Sequence, residues 1–178
     1  MFGLSFELAG SEKIIAELDD VLKKVEDFSP VWELIASDFY SVMGNKFATG
    51  GGSKPWEPLS AKYAEWKART HPGKPLMVLE GNLRASLTGP NSSGSIKKVA
   101  PKQLTLGTSV KNKSGYHYPY AHQYGLGNNK VRELIDISDD TVARWKALVY
   151  NHAFSTVAGA SADWSESIMS DYGFDEEF

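Results

Sequence analysis

The chain has 178 residues, of which 42% are hydrophobic and 23% charged, a balance that is ordinary for a globular protein. This length predicts one domain with a sizeable core rather than two. No apolar run approaches the ~18 residues of a membrane span, and no basic region precedes the apolar N-terminal residues, so we expect neither an anchor nor a secretion signal. The chain has no cysteine, which excludes disulfides and thiolate metal sites and suits a reducing cytosol.

The net charge of −3 conceals an uneven distribution along the chain. Residues 1–45 hold nine acids and three bases, residues 46–146 hold sixteen bases and seven acids, and residues 147–178 hold six acids and no base. Two interpretations stay open. One is ordinary surface variation, and the other is that acidic ends of one copy meet the basic middle of another. The second predicts assembly that weakens as salt rises, which light scattering across a salt titration can measure.

Two amphipathic helices are predicted at the start of the chain. The first has an N-cap at Ser11 and an apolar stripe from Ile14 to Val25. The second has a stripe from Val31 to Met43 and an end at Gly44. Ser29-Pro30 separates them, because proline favours the first turn of a new helix. Core packing is the expected role of both stripes.

The glycine-rich segment 48–55 is predicted to be a flexible joint. It lacks the preceding strand and the closing Gly-Lys-Ser/Thr of a phosphate loop. After it, Ser60 is expected to cap a short helix from Ala61 to Arg69. Residues 78–89 predict another short helix, since leucines recur every four residues at Leu79, Leu83 and Leu87.

The second half of the chain predicts strands and a last helix. Residues 95–100 and 103–110 predict a hairpin, because apolar and polar residues alternate in its second arm. Residues 131–137 predict a further strand, and Ser138 is expected to cap the last helix. The expected fold is α+β, with two N-terminal helices, a small antiparallel sheet with a hairpin, and a C-terminal helix packed on the sheet. Residues 1–154 would form this single domain, and residues 155–178 an acidic C-terminal extension.

No constellation of residues predicts catalysis. There is no Gly-x-Ser-x-Gly elbow, and the sequence "GLG" at 125–127 lies outside any strand–turn–helix frame. The paired carboxylates Asp139 and Asp140 are explained by a helix start. His117, His122 and Asp136 can be drawn together as ligands, but their spacing does not require a zinc site. We expect no enzyme, no metal and no cofactor.

The stretch "YPYAHQYGLGNNK", residues 118–130, is predicted to form a rigid corner. Pro119 fixes one backbone dihedral, while Gly125 and Gly127 permit positive ones. Two tyrosines of the corner, Tyr120 and Tyr124, can share one face of a helical turn. His122 and Gln123 can form hydrogen bonds with backbone groups or with a neighbouring subunit. Replacing His122 with alanine should therefore impair folding or assembly.

A nucleic-acid-binding module is the alternative function. Six lysines along the predicted sheet and loops could contact phosphates: Lys97, Lys98, Lys102, Lys111, Lys113 and Lys130. The same lysines could instead solubilise the exposed face and edges of a small sheet, which is the interpretation we favour.

The order of several motifs is more specific than any one of them. "FATGGGSKPWEPLSAKYAEWK" is followed by "LMVLEGNLRASL", by "LTLGTS" and by "YPYAHQYG". Over about residues 40–150 this order resembles the phage virion morphogenesis family, the neck and tail-completion proteins that include the Mu gpG-like and HK97 gp10-like groups. The matching positions are Trp56, Pro58, Leu59, Leu79, Gly81, Leu83, Ser86, Gly107, Thr108, Tyr120, Ala121, His122, Gln123, Tyr124, Gly125 and Arg132. The segment "VRELIDIS" departs from the family's arginine segment, since it lacks both prolines and the glycine.

The resemblance implies a structural virion protein of the head-tail connection and not an enzyme. It implies a homo-oligomeric ring around the DNA channel, with a hexamer favoured over a dodecamer. The implied partners are head-closure or portal-side proteins and tail terminator or tail-tube proteins, with genomic DNA passing through without sequence-specific binding and with no membrane. The implied location is the neck or tail of the virion, after assembly in the host cytoplasm.

Overall fold

A computed structural model of the chain describes residues 11–157. Within that range the elements are α1 (Ser11–Glu26), α2 (Ser29–Thr49), α3 (Ala61–Thr70), α4 (Asn82–Thr88), β1 (Ser95–Ala100), β2 (Gln103–Thr108), α5 (Tyr118–Tyr124) and α6 (Asp139–Phe154). The predicted α+β class is confirmed, with helices packed on a two-stranded antiparallel sheet. The predicted acidic extension lies outside the described residues from position 158 onward.

Helix α2 forms the centre of the core. Its first turn contains Pro30, as predicted, but Gly44 does not end it. The helix continues to Thr49 and ends at Gly50, which has a φ of 72° and donates its N–H to the Lys46 carbonyl. Glycine inside a helix costs about 1 kcal/mol relative to alanine. The burial of Phe47 beyond it anchors the final turn.

The core itself joins α2 to α4 and to residues from three irregular segments. Eight hydrophobic side chains form its buried cluster: Phe39, Met43, Phe47, Trp56, Val78, Leu83, Leu87 and Leu134. Helix α4 starts at Asn82, several residues later than predicted, after Gly81 with a φ of 98°. Leu79 therefore lies before the helix rather than within it.

Helix α1 does not contribute to this core, since it has no buried residue. The apolar side chains Ile14, Ile15, Leu18 and Leu22 are between 51% and 61% exposed. The prediction that core packing explains both N-terminal stripes is therefore wrong for α1 and correct for α2. The periodicity identified an apolar face, but no described segment of the chain covers these four side chains, whereas Val21 and Val25 are half-buried.

The hairpin pairs β1 with β2 in a register that runs from Ser95↔Thr108 to Ala100↔Gln103. Helices α2 and α4 pack on it. The Trp32 indole on α2 donates to the Ala100 carbonyl at 3.0 Å. The Ser86 and Thr108 hydroxyls, both at family-like positions, lie 2.7 Å apart and join α4 to β2.

Helix α6 packs on α1 and α2, whereas α2 and α4 are the helices with most contacts to the sheet. The Ser138 hydroxyl accepts from the Thr141 N–H, which confirms the predicted cap. The Trp145 indole donates to the Asp38 carboxylate on α2 at 2.7 Å. At the other end, His152 Nε2 donates to the Asp27 carbonyl at 3.0 Å, just beyond α1. These polar contacts hold the last helix against α1 and α2.

Residues 131–137 do not form a strand, so that prediction is wrong. The two-stranded sheet has no third member among the described residues. The backbone groups of this segment pair instead with side chains from distant parts of the sequence. We call it the arginine segment, after Arg132.

The glycine-rich segment forms a hydrogen-bonded turn. The Gly51 N–H donates to the Lys46 carbonyl at 2.9 Å, and the Trp56 N–H donates to the Gly50 carbonyl at 2.8 Å. A Cβ on Gly51 would overlap the Lys54 carbonyl oxygen and approach the Trp56 nitrogen to 2.6 Å. Glycine is therefore required at this position, because two backbone segments of the turn approach each other closely.

Candidate functional site

Several of the motif positions, though not all, meet at the arginine segment. Arg132 is only 5% exposed, and its guanidinium donates to two carbonyls of the Trp-x-Pro-Leu segment. The Glu57 carbonyl accepts from Nε at 2.6 Å, and the Pro58 carbonyl accepts from an NH2 group at 2.9 Å. Burial lowers the pKa of Arg132. These two bonds pair a buried cation with backbone carbonyls and link two segments more than 70 residues apart. We call each such side-chain link between segments a tie.

Trp56 makes the second tie between the same segments. Its ring is buried in the core and meets Phe47 edge-on, with centroids 5.2 Å apart. Its indole N–H donates to the Glu133 carbonyl at 2.9 Å. Pro58 is exposed and Leu59 half-buried, so the first contributes mainly its carbonyl.

Gln123 makes the third tie, from α5. Its side-chain oxygen accepts from the Leu134 N–H at 2.7 Å and from the Ile135 N–H at 3.0 Å, while its amide nitrogen donates to the Ile135 carbonyl at 3.0 Å. The expectation that Gln123 bonds to backbone groups is confirmed. One amide thus supplies the partners that a neighbouring strand would have supplied.

The corner closes at the end of α5. Gly125 has a φ of 66°, and its N–H donates to the Ala121 carbonyl. A Cβ on Gly125 would lie 2.7 Å from Val131 Cγ2. The Arg132 N–H donates to the His122 carbonyl at 2.8 Å, so the chain folds back onto α5 immediately after the turn. The prediction of a structural corner is consistent with this geometry.

His122 behaves differently from its expected role. Its backbone carbonyl bonds to the arginine segment, but its ring Nδ1 is buried without a hydrogen-bond partner among the described residues. Burial lowers the pKa of His122 below its usual value, and the nearby Arg132 charge lowers it further. Its surroundings therefore disfavour the protonated form of the ring.

Tyr120 and Tyr124 point away from the ties. Each is 60% exposed, and their ring centroids lie 4.7 Å apart on one side of α5. The predicted common face is confirmed. Since neither ring contributes to the core, the corner combines a buried bonding side with an exposed aromatic side.

Sequence reasoning missed an ion cluster beside the ties, in which one lysine is buried and its neighbours are half-buried or exposed. Lys46 on α2 is 6% exposed, and its ammonium lies 3.6 Å from the Asp136 carboxylate. Lys54 contacts the same carboxylate at 3.3 Å and Glu133 at 3.4 Å. Burial lowers the pKa of Lys46, which Asp136 partly offsets. The only signal in the sequence was a lysine on the apolar side of a helix. Such a lysine is common, because its apolar stem can pack along the core while its ammonium reaches solvent.

The basic middle of the chain is partly neutralised by its own N-terminal helices. Lys97 pairs with Glu33, and Lys102 lies 2.9 Å from Glu26. Arg144 lies 3.1 Å from Asp38. The complementary charges predicted between copies are therefore met, for these residues, within one chain. Exposed lysines that have no ion pair among the described residues remain on the hairpin and in the loops: Lys98, Lys111, Lys113 and Lys130.

Comparisons with known proteins add no relative, since no family model, no curated protein and no solved structure matches the chain. In residues 11–157 no three histidines, aspartates or glutamates are grouped so that they could hold a metal ion. His117, His122 and Asp136 are thus not brought together as ligands. None of the described helices is both long and apolar enough to cross a membrane.

Proposed function

We propose that this chain is a structural virion protein of a phage head-tail connection, a neck or tail-completion component that forms a ring around the DNA channel. One observation carries the proposal. Motif residues that resemble those of the phage virion morphogenesis family lie far apart in the sequence, yet Trp56, Gln123, Gly125 and Arg132 meet around one segment. This convergence supports a common structural role for these motif positions.

The convergence also supports a role in assembly rather than in fold maintenance alone. The ties fix the backbone of an irregular segment, and the opposite side of α5 exposes two tyrosines. Aromatic side chains are enriched where proteins bind one another. A rigid corner that presents such side chains suits a subunit that must repeat one contact around a ring.

The test is the assembly state of the purified chain. We expect sedimentation to show a concentration-dependent oligomer, and negative-stain class averages to show closed rings, most of them six-fold. A chain that stays monomeric at every concentration, or that forms open aggregates without symmetry, would contradict the ring assignment.

A nucleic-acid-binding module remains the second candidate because four lysines keep their charge free of ion pairs within the described residues: Lys98, Lys111, Lys113 and Lys130. Under that function, filter binding to duplex DNA should be tight and salt-sensitive, with a log–log salt slope that falls by about 0.9 for each phosphate contact removed. Lys98→Glu should then weaken binding more than Lys102→Glu, since Lys102 already pairs with Glu26. Rings with weak, uniform DNA binding favour the virion protein instead.

A further inference from the structure

Helix α1 presents an apolar face that no described residue covers. We call this face the α1 stripe: Ile14, Ile15, Leu18 and Leu22. The helix is attached to the molecule along another side, where Lys24 donates to Ser155 at 3.0 Å. On the same attached side Thr156 bonds to Asp20, and His152 bonds to the Lys24 carbonyl at 3.2 Å. Val21 and Val25, the two valines of the predicted stripe, are half-buried, so the helix is held by these valines and by polar contacts while the α1 stripe faces outward.

A second apolar surface lies at the corner. We call it the corner patch: Tyr120, Tyr124, Leu126 and Val131, which are between 44% and 60% exposed. The ties described above hold its backbone, because Gly125 fits against Val131 and Arg132 bonds to the His122 carbonyl. The patch is therefore a rigid surface with two aromatic rings, which suits the centre of an interface.

The two surfaces carry opposite charges at their edges. Glu12 and Asp19 follow the same side of α1 as Ile15 and Leu22, since these four positions are three or four residues apart. Neither acid has an ion pair among the described residues. Lys130 is next to Val131 and is likewise without an ion pair in the described range. Lys23 follows Asp19 by one turn on the same side, so acids outnumber bases at this edge by two to one, and the base at the edge of the corner patch complements them.

We propose that the α1 stripe of one copy docks on the corner patch of the next copy, with Glu12 and Asp19 beside Lys130. This inference rests on the proposed ring and names its subunit contact. Because the two surfaces differ, the contact is heterologous, and heterologous contacts close into rings when the rotation between copies allows it. The contact would cover apolar side chains on both sides at once, which provides the driving force.

Charge favours the corner patch of a second copy over other surfaces that could cover the α1 stripe. Residues 158–178 of the same chain carry six acids and no base, so they would set acids against Glu12 and Asp19. Two α1 stripes that meet symmetrically would also bring acidic edges together. Of these three surfaces, the corner patch is the one whose basic edge relieves that repulsion, since like charges across an interface are unfavourable.

The absence of cysteine from the chain allows a direct test. Full-length L18C and Y124C are prepared separately, mixed at a concentration where the wild type assembles, and treated with a short bis-maleimide. Both positions are more than half exposed, so neither substitution should unfold the protein. We expect a cross-linked dimer in the mixture and little in either variant alone.

Charge exchange sharpens the same experiment. Adding D19K to L18C should slow cross-linking to Y124C by about tenfold at low salt. Adding K130D to Y124C should restore the rate when it is mixed with L18C/D19K. A cross-linking rate that neither substitution alters would contradict the proposed contact between the charged edges.

Other results would overturn the inference in distinguishable ways. Cross-linking of L18C to itself would show symmetric α1 pairing. Intramolecular cross-linking in L18C/F174C or L18C/F6C monomers would show that the chain's own terminal residues cover the stripe. Rings that form without any L18C–Y124C product would overturn this contact but leave the proposed function intact. A cross-linked product from copies that never close into rings would support the contact and contradict the ring.

Discussion

Helix α1 and the arginine segment differ in a way that the sequence pattern alone does not predict. Helix α1 has a regular apolar stripe, the strongest common sign of a core helix, and that stripe is exposed. The arginine segment has no regular structure, yet Trp56 and Gln123 bind its backbone, and its own Arg132 binds the Glu57 and Pro58 carbonyls. Periodicity identifies which face of an element is apolar, whereas specific side-chain bonds decide which segments are fixed.

This comparison predicts that stability depends on the ties and hardly at all on the stripe. Trp56→Ala should have the largest effect, a loss of about 3–5 kcal/mol, because it opens a cavity beside Phe47 and leaves the Glu133 carbonyl without its donor. Urea unfolding followed by circular dichroism measures the change. Trp66→Ala is the matched control, since Trp66 on α3 is 37% exposed, and it should cost about 1 kcal/mol or less. Equal losses of stability in the two variants would show that the buried contacts of Trp56 contribute no more to folding than those of Trp66.

Much of the fold is predictable from the sequence because local rules decide it. The start of α2 follows from Pro30, the start of α6 from the Ser138 cap, and the hairpin from alternating residues. The strand predicted at residues 131–137 failed because the hydrophobic pattern of a strand does not show whether a partner strand exists.

The candidate site was predictable only as a set of positions. The motifs named Trp56, Gln123 and Arg132, but nothing in them specified that Trp56 and Gln123 contact the segment that contains Arg132. Lys46 was missed altogether, because its partner Asp136 is 90 positions away and no local pattern links the two. Contacts over such separations depend on tertiary packing, which local propensity does not encode.

Removing the hydrogen bonds of Gln123 while keeping its size tests the polar part of the comparison. Gln123→Met should cost about 2–3 kcal/mol, since two backbone N–H groups and one carbonyl of the arginine segment lose their partners. Gln103→Met is the control, because Gln103 is exposed on β2, and it should change stability by less than about 0.5 kcal/mol. A neutral result for Gln123→Met would mean that water replaces the amide at no cost.

Two glycines with almost the same backbone conformation allow the corner to be tested more finely. Gly125 and Gly127 have φ values of 66° and 65°, but a Cβ would meet Val131 only at Gly125. Gly127→Ala should cost about 1 kcal/mol from the left-handed conformation alone. Gly125→Ala should cost more, by up to about 1 kcal/mol, because Val131 must move. Thermal unfolding of both variants gives the difference between their losses of stability. Equal losses would show that Val131 can move aside without a cost in free energy.

The pH dependence of stability reports on His122. Its pKa is lowered in the folded state from 6.5, so the unfolded chain takes up a proton more readily as the pH falls. Stability should therefore be fully present above pH 6.5 and decline as the pH falls through that value. Asp20 and Asp27 have their pKa lowered from 3.8, so their contribution is lost only at more acid pH. Urea unfolding between pH 7.5 and 5 measures the decline, and His122→Gln should flatten it. An unchanged slope in that variant would assign the titration to another group.

The smallest effect is expected on the stripe, and it completes the comparison. Leu18→Ser should change the free energy of unfolding of the dilute monomer by less than about 0.5 kcal/mol, because the side chain is already 57% exposed. Leu83→Ser in α4, where leucine is 3% exposed, is the buried counterpart and should cost several kcal/mol. A large loss from Leu18→Ser at low protein concentration would mean that residues of the same chain cover the stripe. A loss that grows with protein concentration would instead show that the side chain stabilises contacts between copies, since only association depends on concentration.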